Sequence, residues 1–281
     1  MPNDFNQHVI DEFRANEGRV GGPFEGARLL LLTTTGARSG APRTTPLGYL
    51  ADGGGRVLVI ASAAGAPHHP AWFHNLRAHP RANVETGAFT YEATATVLEG
   101  EERDAAFARA VETDEGWAAY QAKTDRVIPV VALDPVPGPP NPNADDFGEA
   151  LRVVHNAFRR ELALIRDEII AAGPSPALGA QLRINCLTLC QGLHNHHTGE
   201  SMGLFPALLD ADPALEPTVQ RLNEEHEKLA ALLEELQNLL RADGTDPARL
   251  LPEVDRITEE LETHLRYEEE QLIPVLQAAA R

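Results

Sequence analysis

Apolar positions change their spacing near residue 140. Before that point they come in short runs bounded by Gly, Pro and Asp. Residues 28–35, 44–50, 56–62, 82–85, 90–98 and 128–133 fit short strands. Residues 4–15, 71–79, 101–112 and 116–124 fit helices. Several short strands with a few helices predict a small barrel with helical decoration. After residue 145 the spacing alternates between threes and fours. Leu151, His155, Phe158, Leu162, Ile165 and Ile169 form one stripe; Leu182, Cys186, Leu189, Leu193, His196 and Glu200 form a second. Val219, Leu222, His226, Leu229, Leu233, Leu236 and Leu240 form a third, and Val254, Ile257, Leu261, His264 and Glu268 a fourth. Four amphipathic helices with short connections predict an antiparallel four-helix bundle. The expected fold class is therefore α+β with two domains, residues 1–134 and 146–281. Between them, Asp134-Pro135-Val136-Pro137-Gly138-Pro139-Pro140 can continue neither a helix nor a central strand, so residues 135–145 read as a stiff linker.

Composition narrows the function. The formal net charge is −18, and residues 141–281 carry 12 Lys/Arg against 25 Asp/Glu. Nucleic acid is disfavoured as a partner, because phosphates need clustered cations. No apolar run approaches the ~20 residues of a membrane helix, and the first residues lack a basic and an apolar region of a secretory signal. The expectation is a cytoplasmic protein with no membrane partner. Cys186 and Cys190 lie one helical turn apart, poorly placed for a disulfide, and read as small core residues.

Each stripe of the second half contains a histidine, and two contain a carboxylate four residues later. His196-x3-Glu200 is followed by Leu204-Phe205-Pro206, and His264-x3-Glu268 by Leu272-Ile273-Pro274. His155 lies 41 residues before His196, and His226 lies 38 before His264. Residues i and i+4 share a helix face, so each His/Glu pair can ligate together. A lone core histidine is usually a structural residue, but four stripes with matched histidines and two buried carboxylates point to one shared cause. Imidazole and carboxylate without thiolate suit iron or manganese, and the set suits two iron ions.

Residues 146–281 resemble the hemerythrin-like (HHE) family on these motifs. The resemblance implies a non-haem di-iron centre held by His155, His196, His226, His264, Glu200 and Glu268, with the glutamates bridging. Oxygen-carrying members have one more histidine four residues after the position of His226, where this chain has Ala230. The resemblance thus implies a coordination position open to water, oxygen, peroxide or nitric oxide, or to a substitute ligand. His197, Glu225, Glu227 and Glu269, each beside a ligand, are the candidate substitutes; His194 lies off the stripe.

In the first half, a strand runs into Thr34-Thr35-Gly36-Ala37-Arg38-Ser39-Gly40-Ala41-Pro42-Arg43. Turn amides with two guanidinium groups can hold a phosphate or carboxylate. A second stretch, Ser62-Ala63-Ala64-Gly65-Ala66-Pro67, leads to Trp72 and Asn75, and its small side chains would let a flat ligand approach the backbone. Residues 5–134 look like the deazaflavin-dependent nitroreductase family, a branch of the split β-barrel oxidoreductases. The likeness rests on T-T-G-x-R-S-G-x-P-R-x-x-P-L, S-x-x-G-A-P-x-x-P-x-W-x-x-N-L, and the closing Tyr120, Arg126 and Ile128-Pro129-Val130-Val131. It implies coenzyme F420 as cofactor, with FMN less favoured, and hydride transfer to an acceptor. Arg38, Ser39 and Arg43 would face the anionic tail. Pro46, Ser62, Ala63, Ala64, Gly65 and Ala66 would line the ring, with Trp72 and Asn75 nearby. Tyr120 would border the acceptor pocket, and no catalytic side chain is demanded. The family often carries a basic residue at the place of Ala37, and Lys or Asn then Gly at Ala63-Ala64.

Together these readings predict a two-domain oxidoreductase, a homodimer by resemblance, in which an F420-dependent reductase feeds a di-iron centre that meets oxygen, peroxide or nitric oxide. One alternative is a quinone or nitro reductase regulated by an oxygen- or iron-sensing bundle. Another is a non-enzymatic iron or oxygen binder.

Overall fold

The computed structural model describes residues 4–138, 141–173, 178–242 and 246–279; Pro139 and Pro140 of the expected linker lie outside the described residues. The chain divides into two compact units, Met1–Asn143 and Ala144–Arg281.

The first unit is a closed six-stranded antiparallel barrel with strand order β1-β2-β3-β6-β5-β4. The strands are β1 (Leu29–Thr35), β2 (Pro42–Ala51), β3 (Val57–Ile60), β4 (Arg81–Glu85), β5 (Thr90–Val97) and β6 (Val130–Pro135). Closure leaves no free sheet edge. Leu30, Leu32, Val57, Val59, Val84, Ala93, Val131 and Leu133 share one core, to which α2 (Ala71–Ala78) adds Trp72, Phe73 and Leu76. The alternate residues Leu29 and Leu31 pack against Val9, Ile10 and Phe13 of α1 (Asp4–Ala15). Leu58, Ile60, Val130 and Ala132 pack against Ala106, Phe107 and Ala110 of α3 (Gly100–Thr113). With both faces covered, these strands read as unbroken apolar runs instead of alternations. A short helix, α4 (Gly116–Ala122), follows α3. β2 starts two residues earlier than the spacing predicts and carries Pro46 opposite Leu31. β3 is shorter than predicted: Ala61 N still donates in register to the Pro129 carbonyl, but proline has no N–H to extend the ladder, and the chain turns into the loop at Ser62.

That loop is held in an unusual conformation. Ala63, Ala64 and Gly65 have φ of 46°, 52° and 81°. For the two alanines this costs on the order of 1–3 kcal/mol each. The Arg126 guanidinium compensates from the opposite side. Its Nε donates to the Ala66 carbonyl at 2.9 Å, Nη1 to Ala61 at 3.1 Å and Nη2 to Ser62 at 2.6 Å.

The second unit is helical: α5 (Phe147–Ala172), α6 (Ala180–Gly199), α7 (Phe205–Ala211), α8 (Glu216–Arg241) and α9 (Leu251–Ala279). Asp146 starts α5 by accepting from Glu149 N at 2.8 Å, satisfying one of the open amides of the first turn. α5 packs on α6 and α9, and α8 on the same two, which closes a four-helix ring. The two His-x3-Glu repeats continue differently. After Glu200 the chain makes a π-helical turn, Glu200–Leu204, in which Phe205 N donates to the Glu200 carbonyl. Pro206, next in line, cannot donate to a carbonyl four residues back, so the wider turn is accommodated there. Pro274 instead sits inside α9, which runs on to Ala279.

The loop at 61–66 generates a prediction. Arg126→Met leaves three carbonyls without their charged donor and should lower stability to denaturant by about 2 kcal/mol or more. A change below about 0.5 kcal/mol would show that the loop keeps its shape unaided.

Candidate metal centre and cofactor loops

Two apolar clusters fill the bundle, and a polar layer separates them. Leu162, Leu193, Leu229 and Leu261 belong to one cluster; Leu151, Phe205, Leu222 and Leu272 belong to the other. Between these positions, each helix turns its metal-ligand candidates inward. His155, Glu200, His226, His264 and Glu268 are buried, and His196 nearly so. His155 Nε2 stands 3.1 Å from His196 Nε2 and 3.5 Å from Glu268 Oε2. His196 Nε2 is 3.1 Å from Glu200 Oε1, and His226 Nε2 is 3.5 Å from Glu200 Oε2. His264 Nε2 is 3.7 Å from Glu268 Oε2. All four carboxylate oxygens of Glu200 and Glu268, with Nε2 of His226 and His264, are buried without a hydrogen-bond partner. Buried polar atoms are nearly always partnered, so this convergence of lone pairs marks a place for cations.

The outer nitrogens are held. His155 Nδ1 lies 2.9 Å from Glu269 Oε1, and Arg159 Nη1 donates to the same oxygen at 2.7 Å. His264 Nδ1 lies 3.0 Å from Glu225 Oε2, and Arg221 Nε donates to Glu225 Oε1 at 2.8 Å. His226 Nδ1 lies 3.0 Å from Ser201 Oγ, which donates to Asn223 Oδ1 at 2.8 Å. A proton on each Nδ1 satisfies all three contacts and turns the Nε2 lone pair inward. Glu225 and Glu269, two of the candidate substitute ligands, are thus oriented outward as partners of ligands. Glu227 is exposed and lines a surface groove with Leu209, Glu216 and Asn223. His197 alone of the four turns inward. It is buried, with Nε2 unpartnered, and its ring stacks on His226 at 4.2 Å and meets His264 edge-on at 5.2 Å. His194 and Ala230 are exposed.

Electrostatics separates these roles. Burial lowers the pKa of His155, His196, His197 and His264, and pushes His226 down to about 3, so the imidazoles are neutral donors of lone pairs. Burial, then mutual repulsion with Glu268, raises Glu200 well above the usual carboxylate range; burial, then Glu269 and Glu225, raises Glu268 to about 8. For Glu269 burial acts upward as well, but hydrogen bonds from His155 and Arg159 outweigh it and hold the carboxyl at about 2. Burial thus shifts the inner acids towards the protonated form, and the outer acid Glu269 is charged. The donor atoms fall into two groups, His155/His196/Glu200/Glu268 and His197/His226/His264, each within 4.8 Å. The residues present fit a pair of cations with nitrogen and oxygen ligands. Cys186 and Cys190 are buried without a disulfide, and burial pushes the Cys190 thiol up to about 11, which keeps thiolate chemistry out of the centre.

In the barrel unit, Arg38 and Ser39 sit in the β1–β2 turn and Arg43 at the start of β2; all three are exposed. Neither guanidinium has an ion-pair partner among the described residues. Gly36 N donates to the Ala41 carbonyl at 2.9 Å, and Gly40, with φ of 66°, completes the turn. Asn75 fixes this turn from α2: its Oδ1 accepts from Ala37 N at 2.9 Å, and its Nδ2 donates to Thr34 Oγ1 at 3.0 Å. Asn75 and Trp72 are both buried, and Trp72 packs in the barrel core. Pro46 is half-buried on β2. Ser62, Ala63 and Ala66 are half-buried and Ala64 exposed, whereas Gly65 is buried under α4. A Cβ at Gly65 would come within 2.8 Å of the Tyr120 carbonyl, so glycine is required both by φ and by this approach. Tyr120 is half-buried, with its ring edge-on to Trp117 at 6.0 Å. Sequence reasoning gave no role to Arg126 or to Ser201 and Asn223. The signal for Arg126 was available: a loop of small residues has no side chains to satisfy its own carbonyls.

Comparison with known proteins is specific for both units. The F420H(2)-dependent quinone reductase family matches residues 6–135, and the hemerythrin HHE cation binding domain matches residues 146–276. An F420H(2)-dependent quinone reductase of Mycobacterium tuberculosis is 38% identical over 125 residues, which is 43% of this chain and 83% of that protein. A putative F420H(2)-dependent quinone reductase of the same species is 33% identical over 106 residues, 38% of this chain and 88% of the relative. A solved F420-H2 dependent reductase is 42% identical, covering 38% of this chain and 94% of its own, with a TM-score of 0.35. The chain belongs to the F420H(2)-dependent quinone reductase family through its first half, and its second half matches the hemerythrin HHE cation binding domain.

Proposed function

We propose that this protein is a reductase in which a barrel-bound F420 and a di-iron centre in the bundle are parts of one electron path. The observation that carries the reading is the set of buried, unpartnered imidazole and carboxylate atoms at the centre of the bundle, in a chain whose other unit is of the quinone reductase family. Arg38, Ser39 and Arg43 would hold the cofactor's anionic tail. Their exposure without ion-pair partners, in a chain of net charge −18, supports this part of the reading. Pro46 and the 62–66 loop would hold the ring, with Arg126 fixing that loop, Trp72 and Asn75 behind it, and Tyr120 at the acceptor side. Bound F420 supplies a hydride, and the side chains have only to orient it and exclude water.

His155, His196, His226, His264, Glu200 and Glu268 would hold the two irons. That centre supplies two one-electron acceptors, which matches the two electrons of a hydride. Oxygen, peroxide or nitric oxide would be the final acceptor, with quinones or nitro compounds as acceptors reduced directly at the barrel. The neutral imidazoles favour metal over proton, and the charged Glu225 and Glu269 would raise the basicity of His264 and His155. We take the protein to be a cytoplasmic homodimer with residues 135–145 connecting its domains. No helix of the described residues is long and apolar enough to cross a membrane.

Anaerobic mixing of reduced F420 with the di-ferric protein should bleach the ferric absorption and oxidise the cofactor. Oxidation of the cofactor by a quinone, with the ferric band untouched at any protein concentration, would overturn the coupling and leave a reductase beside a metal sensor. Metal loading should also release protons. The Glu268 carboxyl is raised to about 8, so it is mostly protonated at pH 7, and Glu200 is shifted in the same direction, so ligation must displace protons. At pH 7 about one to two protons should leave per centre, and affinity should rise with pH towards 8, because protons compete with metal. The dependence of binding enthalpy on the ionisation heat of the buffer reads this number directly. A value of zero would mean that the acids are already ionised in the metal-free core.

A further inference from the structure

We propose that His197 is itself a metal ligand, the third imidazole on the cation held by His226 and His264. The proposal rests on the reading of the bundle as a metal centre and adds a ligand to it.

Three observations carry it. His197 is 6% exposed, and its Nε2 is buried with no hydrogen-bond partner among the described residues. A ring nitrogen left in that condition is costly, and no protein group offsets the cost. The potential ligand atoms of His197, His226 and His264 lie within 4.8 Å of one another. Finally, α8 contributes one imidazole only, His226, because the residue one turn later is Ala230. The gap on α8 is answered from α6, which packs beside it.

Adjacent residues on one helix can both serve because of where the α6 stripe runs. Taking Leu193 as the centre, His196 lies about 60° to one side and His197 about 40° to the other. Each imidazole then reaches a different cation, with Glu200, about 20° from the same centre, between them. The centre becomes asymmetric. One cation would be held by three imidazoles and the other by His155 and His196, with Glu200 and Glu268 available between them. His197 would then supply, on the His226/His264 side, the ligand that Ala230 lacks, and the cation beside His155 and His196 would have fewer imidazoles.

The competing explanation is that His197 merely fills space in the core. A leucine would then serve at least as well. The test compares the full-length wild type, His197→Leu, His226→Leu and, as a surface control, His194→Ala. Each is titrated with Co(II) and Fe(II) against a competing chelator, and bound ions are counted by elemental analysis. The visible absorption of Co(II) reports the number of ligands. Loss of a residue that only supports a ligand costs 10–100-fold in affinity, so loss of a true ligand should weaken one of the two ions by more than that. We expect His197→Leu to retain one ion at wild-type affinity, to weaken the second by over a hundredfold with a changed Co(II) spectrum, and to leave the metal-free melting temperature equal or higher. His226→Leu should weaken the same ion, and His194→Ala should change nothing. If His197→Leu does not fold, His197→Gln gives the same reading with a polar side chain. Two ions at wild-type affinity and an unchanged spectrum in the His197 variant, alongside a weakened ion in His226→Leu, would overturn the role of His197 while leaving the centre intact. Failure of the wild type to bind metal, or indifference to both substitutions, would overturn the metal centre and this proposal together.

Discussion

Two carboxylates inside an apolar bundle constrain everything around them. Glu200 and Glu268 are buried between two leucine-rich clusters, and their four oxygens have no hydrogen-bond donor. An ion in that setting is strongly disfavoured unless it is paired or ligates a metal, and burial accordingly pushes both carboxyls above the usual carboxylate range. Everything next to them is consistent with a cation as the intended partner. The imidazoles that face them are neutral, and the outer nitrogens of His155 and His264 face charged carboxylates, each braced in turn by an arginine. The acidic surplus of the second half also concentrates cations near the bundle. The helices supply the geometry, but the demand for positive charge in the polar layer decides which residues line it.

The barrel meets a different constraint. β1, β3 and β6 are buried on both faces, so they offer little polar surface, and the family motifs lie in the loops at the strand ends. Both loops that carry the family motifs are shaped by buried or half-buried polar side chains from elsewhere in the chain. Asn75 ties the 36–41 turn to α2, and Arg126 ties the 61–66 loop to the segment before β6. Strained backbone at Ala63 and Ala64 persists because Arg126 over-determines it. The substitution of these two alanines for the family's Lys or Asn followed by Gly removes the conformational freedom of a glycine, while the clamp holds the shape.

Much of this was legible in the sequence, for reasons that differ between the halves. The bundle's stripes announce themselves because a histidine or glutamate among leucines at helical spacing breaks the amphipathic pattern in a way that requires explanation. Strand positions in the barrel were readable from Gly, Pro and Asp punctuation, but β3 ended early, because its partner opposite Ala61 is Pro129, which has no N–H, and this long-range pairing has no local signal. The matching prolines after Glu200 and Glu268 looked equivalent. Only the packing decides that the first follows a π-helical turn and the second rides inside α9. Glu225 and Glu269 could be placed beside ligands by counting, but counting could not say that they face the outer nitrogens of their neighbours across the bundle.

His197 shows the limit of that counting most clearly. A stripe drawn through every third or fourth residue passes through His196 and assigns His197 to the next face, about 100° away. The stripe has a width, and its centre on α6 falls between the two. With Leu193 on the axis, Cys190 about 60° to one side and Leu189 about 40° to the other are buried too, so the face admits residues up to about 60° off axis. Both histidines therefore qualify as inward-facing, and the distinction between them lies in which neighbouring helix each meets. His196 meets α5 through His155, and His197 meets α8 and α9 through His226 and His264. A helix at the corner of a four-helix ring faces two neighbours at once, so adjacent residues near its inward axis can serve two different ions. The two faces differ in their surroundings as well, since Phe158 packs against the His196 ring and Phe205 against that of His226.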